Sequence, residues 1–92
     1  MFGLDLSCNN LTSEISHELG MLSLIHALNL SHNQLKGSIS KSFYNLSQIE
    51  SLDLFNNKLS GEITPKLVRL TFLAEFNVTH NSLFWRVSNM NA

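Results

Sequence analysis

The stretch from Leu28 to Ile39 reads LNLSHNQLKGSI, and 24 residues later it returns as LDLFNNKLSGEI. Versions of the same stretch begin at Leu4 and Phe76. A fixed interval of this length is the signature of a repeat array. We therefore predict that residues 1–92 form one array without capping units, with repeats starting near residues 4, 28, 52 and 76, the last one incomplete. Further apolar positions keep the same interval: Ile15, Ile39, Ile63 and Val87; Leu19, Phe43 and Leu67; Leu22, Leu46 and Leu70; Ile25, Ile49 and Leu73.

Two local periods lie inside each unit. Apolar and polar residues alternate around Leu28 and Leu30, and this period of two predicts one short strand per repeat. Later in the unit, apolar residues three positions apart, such as Phe43 and Leu46, predict a turn of 3₁₀ or short α-helix. A unit of this size cannot bury its own apolar edge, so each repeat must cover its neighbour. The pattern predicts an α/β solenoid with a parallel sheet on one side and short helical turns on the other.

Each repeat also carries an asparagine shortly after its strand. An asparagine side chain satisfies backbone groups that a bend leaves unpaired. Stacking of the repeats would align these side chains in a structural ladder. Its members are Asn9, Asn33, Asn57 and Asn81.

Taken together, these residues resemble the 24-residue, plant-type extracellular leucine-rich repeat, and the resemblance covers nearly the whole chain. It implies a leucine-rich repeat solenoid wound as a right-handed superhelix, with the sheet on the concave face and the helical turns on the convex face. Gly37 and Gly61 occupy the position where that family places a glycine before an extra lateral β-turn. Ser13 and Trp85 replace this glycine. We expect the lateral turn to be weakened most in the first and fourth repeats.

A second departure from the family pattern concerns proline. Ser16, Ser40 and Thr64 stand where the family usually has a proline, and Pro65 comes one residue late. These changes also bear on the lateral turn rather than on the fold as a whole.

The run from Leu67 to Leu83 is similar to the last, membrane-proximal repeats of plant leucine-rich-repeat receptor-like proteins, in which Phe-Asn-Val commonly replaces Leu-x-Leu, as at residues 76–78. This resemblance implies a fragment of the ectodomain of a plant cell-surface receptor-like protein. Such an ectodomain is a protein or peptide recognition module in defence or developmental signalling, on the extracellular side of the plasma membrane. The segment would face a protein or peptide ligand, a co-receptor kinase ectodomain, or both.

Two alternative functions stay open at this point. One is a secreted leucine-rich-repeat inhibitor of a cell-wall-degrading enzyme, similar to the polygalacturonase inhibitors. The other is a non-functional truncated gene remnant. The fold is common to all three interpretations, and fold alone does not determine function.

Composition and missing motifs exclude several classes of protein. Six Lys and Arg residues against seven Asp and Glu residues leave a net charge of -1, so no basic footprint for nucleic acid or an anionic membrane surface is present. Cys8 is the only cysteine, which excludes an internal disulfide framework and a multi-cysteine zinc site. No Gly-x-Ser-x-Gly, Walker or His-Glu-x-x-His motif occurs. We predict a protein without catalytic activity, metal or cofactor.

Membrane contact is not expected of this segment either. Its first residues lack the basic and apolar regions of a signal peptide, and no apolar run approaches the length of a transmembrane helix.

The outward-facing strand positions form the candidate binding surface. A shallow parallel sheet of mixed polarity suits contact with a peptide or a protein better than a closed small-molecule pocket. The same positions are equally consistent with solvated strand residues in repeats that bind no ligand. The candidates are Asp5, Ser7, Asn29, Ser31, His32, Asp53, Phe55, Asn56, Glu75, Asn77, Thr79 and His80.

Four side chains are of residue types that could bind a metal, act as a nucleophile or contact a ligand. His32 and His80 hold the same repeat position two units apart. About two strand spacings of roughly 4.8 Å would separate them, so we predict two solvated histidines rather than metal ligands. Cys8 lies in the same column and is predicted to be a filler rather than a nucleophile. Trp85 is predicted to pack over an exposed edge rather than contact a ligand.

Sequons of the form Asn-x-Ser/Thr suit a chain displayed in the secretory pathway, although Asn and Ser are also abundant as repeat filler. Glycans on the strand face would shade part of the concave surface. The candidate N-glycosylation sites are Asn10, Asn29, Asn45 and Asn77.

The ends of an uncapped array expose apolar side chains that interior repeats bury. At roughly 1.5–3 kcal/mol for each side chain, this exposure is comparable to the typical stability of a domain. We therefore expect the isolated chain to be partly molten, aggregated or self-associated through its ends.

Overall fold

The computed structural model describes residues 2–69 and 71–85. The predicted apolar positions Leu70 and Val87 lie outside the described residues. The strands are β1 (Phe2–Asp5), β2 (Ile25–Asn29), β3 (Lys36–Gly37), β4 (Ser51–Asp53), β5 (Lys58–Ile63), β6 (Glu75–Asn77) and β7 (Ser82–Trp85). Two 3₁₀ helices span His17–Met21 and Lys41–Asn45, and the α-helix α1 spans Lys66–Arg69.

The first sheet contains one strand from each repeat. Its order is β1-β2-β4-β6, and every neighbouring pair is parallel. The register advances by one whole repeat, as in the pairing of Leu28 with Leu52 and of Leu52 with Phe76. Apolar side chains of the sheet enter the core, where Leu28, Leu52 and Leu54 are fully buried. The predicted solenoid of parallel strands and short helical turns is confirmed.

A second parallel sheet runs along the side of the solenoid in the order β3-β5-β7. Its register differs from that of the first sheet, because Lys36 pairs with Lys58 and Ser60 with Ser82, an advance of 22 residues instead of 24. The two-residue offset is an even number, so equivalent side chains stay on the same face of the pleat. The lateral strands are therefore offset by two residues, and their apolar residues still face the core.

The pairing of the lateral strand differs between the first and the fourth repeat. In the first repeat, only an isolated bridge joins Glu14 to Lys36. In the fourth, β7 pairs with β5 over four residues, ending at Trp85 opposite Ile63. The turn that would follow Trp85 lies outside the described residues, so the weaker turn expected in the fourth repeat stays a prediction. Ser13 takes a φ of 70°, close to the 82° of Gly37, so the serine retains the turn at a steric cost.

The residues at the family's proline position have a local role in this chain. The Ser16 hydroxyl accepts a hydrogen bond from the Glu18 N–H at 3.2 Å, and the Ser40 hydroxyl accepts one from the Ser42 N–H at the same distance. Both serines are therefore N-caps of the 3₁₀ helices that follow. Thr64 instead hydrogen-bonds the Tyr44 hydroxyl at 2.6 Å and joins the third repeat to the second.

Candidate protein-interaction surface

A column of Asp and Asn residues, one from each repeat, lies at the ends of the strands of the concave sheet. In each repeat the side-chain Oδ1 accepts a hydrogen bond from the backbone N–H two residues later, at 2.9–3.0 Å. These Asx turns stop the strand and hold the next residues at the rim of the sheet. The four acceptors are Asp5, Asn29, Asp53 and Asn77.

Hydroxyl groups reinforce this column at both ends of the array. Ser7 Oγ donates to Asp5 Oδ1 at 2.7 Å, and Thr79 Oγ1 donates to Asn77 Oδ1 at 2.8 Å. The hydrogen bonds from the Ser7 side chain and backbone lower the pKa of Asp5 below its ordinary value of 3.8. Asp5 therefore stays a carboxylate in mildly acidic solution.

The next column has backbone in the left-handed region. Cys8, His32, Asn56 and His80 have φ angles of 55–60°, although none of them is glycine. Such backbone is uncommon for residues with a Cβ. It swings the side chains at these positions to the rim of the concave face, where all four are exposed. Cys8 is an exposed free thiol in this column, in the place that the sequence predicted.

Phe55 lies between the two histidines of this column. Its ring meets His32 with centroids 5.2 Å apart and His80 with centroids 4.8 Å apart, both edge to face. Asn56 Nδ2 lies 3.1 Å from His32 Nδ1 and helps to orient that ring. We refer to His32, Phe55 and His80 as the aromatic triad. Both histidines are exposed, as predicted, but the sequence did not reveal that Phe55 joins them.

Beside the Asx column, small side chains leave an open trough of about 350 Å³. Its floor is formed by Gly3, Ala27 and Ser51, and its wall includes Asp5 and Asp53. Sequence reasoning missed the floor residues. The available signal was a column of small residues, 24 positions apart, two residues before the Asp or Asn of the first three repeats.

The charged residues of the concave strands are of one sign. The charged side chains on β1, β4 and β6 are Asp5, Asp53 and Glu75, all acidic. Within residues 2–69 and 71–85, the basic side chains of Lys and Arg lie on the lateral strands, the second 3₁₀ helix and α1, at Lys36, Lys58, Lys41, Lys66 and Arg69. The concave face is therefore acidic at neutral pH, and a complementary partner would be basic.

One predicted surface residue is not on the surface. Ser31 is only 5% exposed, so its assignment to the exposed binding surface is wrong. It has a small side chain on an interior repeat, and its backbone carbonyl accepts hydrogen bonds from the Cys8 N–H and from Asn33 Nδ2. The remaining candidates are exposed or half-buried: Asp5, Ser7, Asn29, His32, Asp53, Phe55, Asn56, Glu75, Asn77, Thr79 and His80.

The asparagines beyond the rim make hydrogen bonds between repeats. Asn33 Oδ1 accepts from the Leu11 N–H at 2.9 Å, and Asn33 Nδ2 donates to the Leu6 and Leu30 carbonyls at 3.0 Å. Asn57 and Asn81 repeat this arrangement one and two units further along. These side chains are occupied with backbone groups, which leaves them little capacity to contact a ligand.

The candidate glycosylation sites differ in accessibility. Asn10, Asn45 and Asn77 are exposed, whereas Asn29 is half-buried and lines the trough. Asn45 ends the second 3₁₀ helix, on the convex side of the solenoid. A glycan on Asn45 would leave the concave face open, and one on Asn29 would fill the trough.

The part of the chain that the structure describes holds neither a metal-binding cluster nor a membrane-spanning helix. Within the described residues, no three His, Cys, Asp or Glu side chains come close enough to share a metal ion. No helix in this part of the chain is long and apolar enough to cross a membrane. The concave face thus offers shape, charge and aromatic contacts rather than a ligand cage.

Comparison with known proteins agrees with this description. The leucine rich repeat family model matches residues 3–59. The LRR ectodomain of the receptor kinase SOBIR1 from Arabidopsis thaliana is 35% identical over 87% of the chain, with a TM-score of 0.81. The BIR3–SERK2 complex from the same organism matches with 34% identity over 91% of the chain and a TM-score of 0.75. The chain spans 44% of the length of each of these two structures. No curated protein matches it significantly.

Proposed function

Because the chain belongs to the leucine-rich repeat family, we propose that it is part of the ectodomain of a plant cell-surface receptor-like protein. In this proposal it acts on the extracellular side of the plasma membrane, in defence or developmental signalling, as a module that binds a protein or peptide. The similarity to the SOBIR1 ectodomain is the observation that carries the proposal. The two other functions that the sequence left open have no comparable observation in their favour.

The aromatic triad is the proposed centre of contact. Phe55 is half-buried and flanked by two exposed imidazoles, so a partner would meet a preformed aromatic ridge at little entropic cost. Asp53 lies two residues before Phe55. Glu75 lies on the next strand, opposite Ser51. A partner with an apolar side chain above Phe55 and basic side chains towards Asp53 and Glu75 would match this face.

The proposed partner is the ectodomain of a co-receptor kinase. One of the matched structures is a complex of two proteins, BIR3 and SERK2, which makes both of them concrete probes. The binding of each purified protein to the immobilised chain would be measured by biolayer interferometry. Phe55→Ala should weaken binding about tenfold or more, as truncation of a central aromatic contact typically does.

Phe72→Ala is the matched control, because Phe72 is 69% exposed and follows α1, away from the concave face. It should leave binding unchanged. Asp53→Lys should also weaken binding, and the loss of affinity should be larger at low salt than at high salt. If neither probe binds, or if the Phe72 and Phe55 variants lose binding equally, the proposed contact is wrong.

A further inference from the structure

A second concavity lies on the lateral side of the solenoid, where the second and third repeats meet. Its volume of about 540 Å³ exceeds that of the concave trough and falls within the range of about 300–1,000 Å³ that is typical of ligand pockets. We refer to it as the lateral pocket. Both repeats have a neighbouring repeat on either side, so the pocket belongs to an interior joint of the array. It is lined by Ser38, Ile39, Lys41, Tyr44, Glu62 and Thr64.

The local structure of the two repeats places these residues around one opening. Ser38 and Ile39 follow β3 and lead into the second 3₁₀ helix, which carries Lys41 and Tyr44. Glu62 is the last residue but one of β5, and Thr64 directly follows that strand. The lining of the pocket is therefore held by a strand and a helix rather than by a long loop.

A hydrogen bond across the joint holds the pocket in shape. The Tyr44 hydroxyl and Thr64 Oγ1 lie 2.6 Å apart. The Tyr44 ring is half-buried and packs against the hydrophobic core. Because one end of this side chain is bonded and its ring is packed, a ligand would meet an ordered aromatic residue at little entropic cost.

The base of the lateral pocket is apolar. Ile39 is half-buried there, beside the Tyr44 ring. A narrow recess of about 10 Å³ shares these two residues and is also lined by Ile63 and Leu67, each 2% exposed. A ligand in the pocket would therefore need an apolar face.

The remaining lining groups are polar and balanced in charge. Lys41 and Glu62 are exposed and belong to different repeats, and their formal charges cancel. An ammonium group donates hydrogen bonds and a carboxylate accepts them, whereas a hydroxyl group does both. Three hydroxyl groups complete the lining, from Ser38, Tyr44 and Thr64.

This combination favours a neutral ligand rich in hydroxyl groups. An anionic ligand would meet the carboxylate of Glu62, and a cationic ligand would meet the ammonium group of Lys41. A sugar ring carries hydroxyl groups that donate and accept along its edge, and its C–H groups form an apolar face that can pack on an aromatic ring. Both requirements of the pocket are thus met by one class of molecule.

We propose that the lateral pocket binds a short neutral oligosaccharide. The C–H face of one sugar unit packs on Tyr44 and Ile39, while its hydroxyl groups donate to Glu62 and accept from Lys41. This site lies outside the proposed concave contact, and it does not depend on the proposed receptor function.

The same chemistry has two sources. One is an oligosaccharide from outside the chain. The other is a glycan of the chain itself on Asn45, which is exposed and directly follows Tyr44. The experiment is therefore begun with the full chain made in bacteria, which carries no glycan.

Binding would be measured by heteronuclear NMR titration of the isotope-labelled full chain. The neutral probes are cellotetraose, mannotetraose and tetra-N-acetylchitotetraose. At least one of them should shift the amide signals of residues 38–44 and 62–64. Tetragalacturonate, which is acidic, and fully deacetylated chitotetraose, which is basic, should bind about tenfold more weakly or not at all, because each carries charge that the lining repels.

Two variants test the named contacts. Glu62→Ala removes the charged acceptor, and Tyr44→Leu removes the ring but keeps an apolar side chain against the core. Each should weaken binding of the neutral probe about tenfold. Because Glu62 is exposed, its variant tests the pocket even where Tyr44→Leu disturbs packing.

Matched controls come from outside the pocket. Glu50→Ala removes an exposed carboxylate just before β4, and Phe72→Leu removes an exposed ring after α1. Both should bind the probe like the unsubstituted chain. Circular dichroism establishes that all four variants are folded.

Material from a eukaryotic host then identifies the source of the sugar. A glycan on Asn45 that fills the pocket should abolish binding of the probe, and Asn45→Gln from the same host should restore it. Equal binding by these two proteins would assign the pocket to an oligosaccharide from outside the chain.

Three outcomes would overturn the proposal. The first is that no neutral probe binds the bacterial chain. The second is binding that survives unchanged in both Glu62→Ala and Tyr44→Leu. The third is equal or tighter binding of the acidic or the basic tetrasaccharide, which would show that the pocket does not select a neutral ligand.

Discussion

Replacing Asn57 by alanine should lower the free energy of unfolding by about 3 kcal/mol, a large part of the roughly 5–15 kcal/mol that stabilises a typical domain. Asn57 is 8% exposed and makes three hydrogen bonds of ordinary length: from the Leu35 N–H at 3.1 Å, and to the Leu30 and Leu54 carbonyls at 3.0 and 3.2 Å. The 3.5 Å contact with the Phe55 carbonyl is too long to count. Alanine can replace none of these bonds.

The magnitude follows from those three bonds. Each contributes a net of about 1 kcal/mol, so Asn57→Ala should lower the free energy of unfolding by about 3 kcal/mol. For a domain of this size, such a loss lowers Tm by roughly 12–24 °C. Asn9→Ala is the matched control, since the same side chain at the open end is exposed and makes a single recorded hydrogen bond. Its cost should stay below about 1 kcal/mol.

Thermal and urea denaturation followed by circular dichroism would measure both values, at a protein concentration where the chain is monomeric. The urea midpoint should fall for Asn57→Ala without a change in slope, because the surface exposed on unfolding stays the same. Equal losses in the two variants would refute the reasoning, because they would show that the hydrogen bonds between repeats contribute no stability of their own.

Three further predictions concern other parts of the array. Ser13→Gly should raise the stability by about 0.5–1 kcal/mol in the same assay, because it removes a Cβ from left-handed backbone with φ of 70°; a decrease would contradict this strain. Ser7→Ala should raise the pKa of Asp5 towards 3.8 in an NMR titration; the native pair thus adds stability above that pH and loses it as the pH falls through the lowered pKa, and an unchanged pKa would contradict the hydrogen bond. In secreted material, mass spectrometry should find Asn45 glycosylated more fully than Asn29, which is half-buried in the trough; the reverse order would count against this accessibility.

The aromatic triad shows where sequence reasoning about the site ended. Period-two alternation puts Phe55 on the outward face with Asp53, but it would turn the position of His32 and His80, one residue further along each repeat, to the opposite face. It did not predict their contact, since Phe55 touches residues 23 positions before and 25 positions after it. These separations are one residue shorter and one residue longer than the 24-residue repeat. The left-handed backbone of both histidines brings their rings to the rings of residues at a different position of the repeat. The burial of Ser31 could not be predicted either, because it depends on neighbours in adjoining repeats.

The sequence alone determined the solenoid, the parallel concave sheet, the short helical turns and the asparagine column. All of them depend on contacts between residues one repeat apart, and a 24-residue period displays such contacts directly. Only the tertiary structure decided the 22-residue step of the lateral sheet, the strand at Trp85 and the acidic trough. These features depend on how far one turn of the chain is displaced against the next, and that displacement is set by packing rather than by any period in the residues.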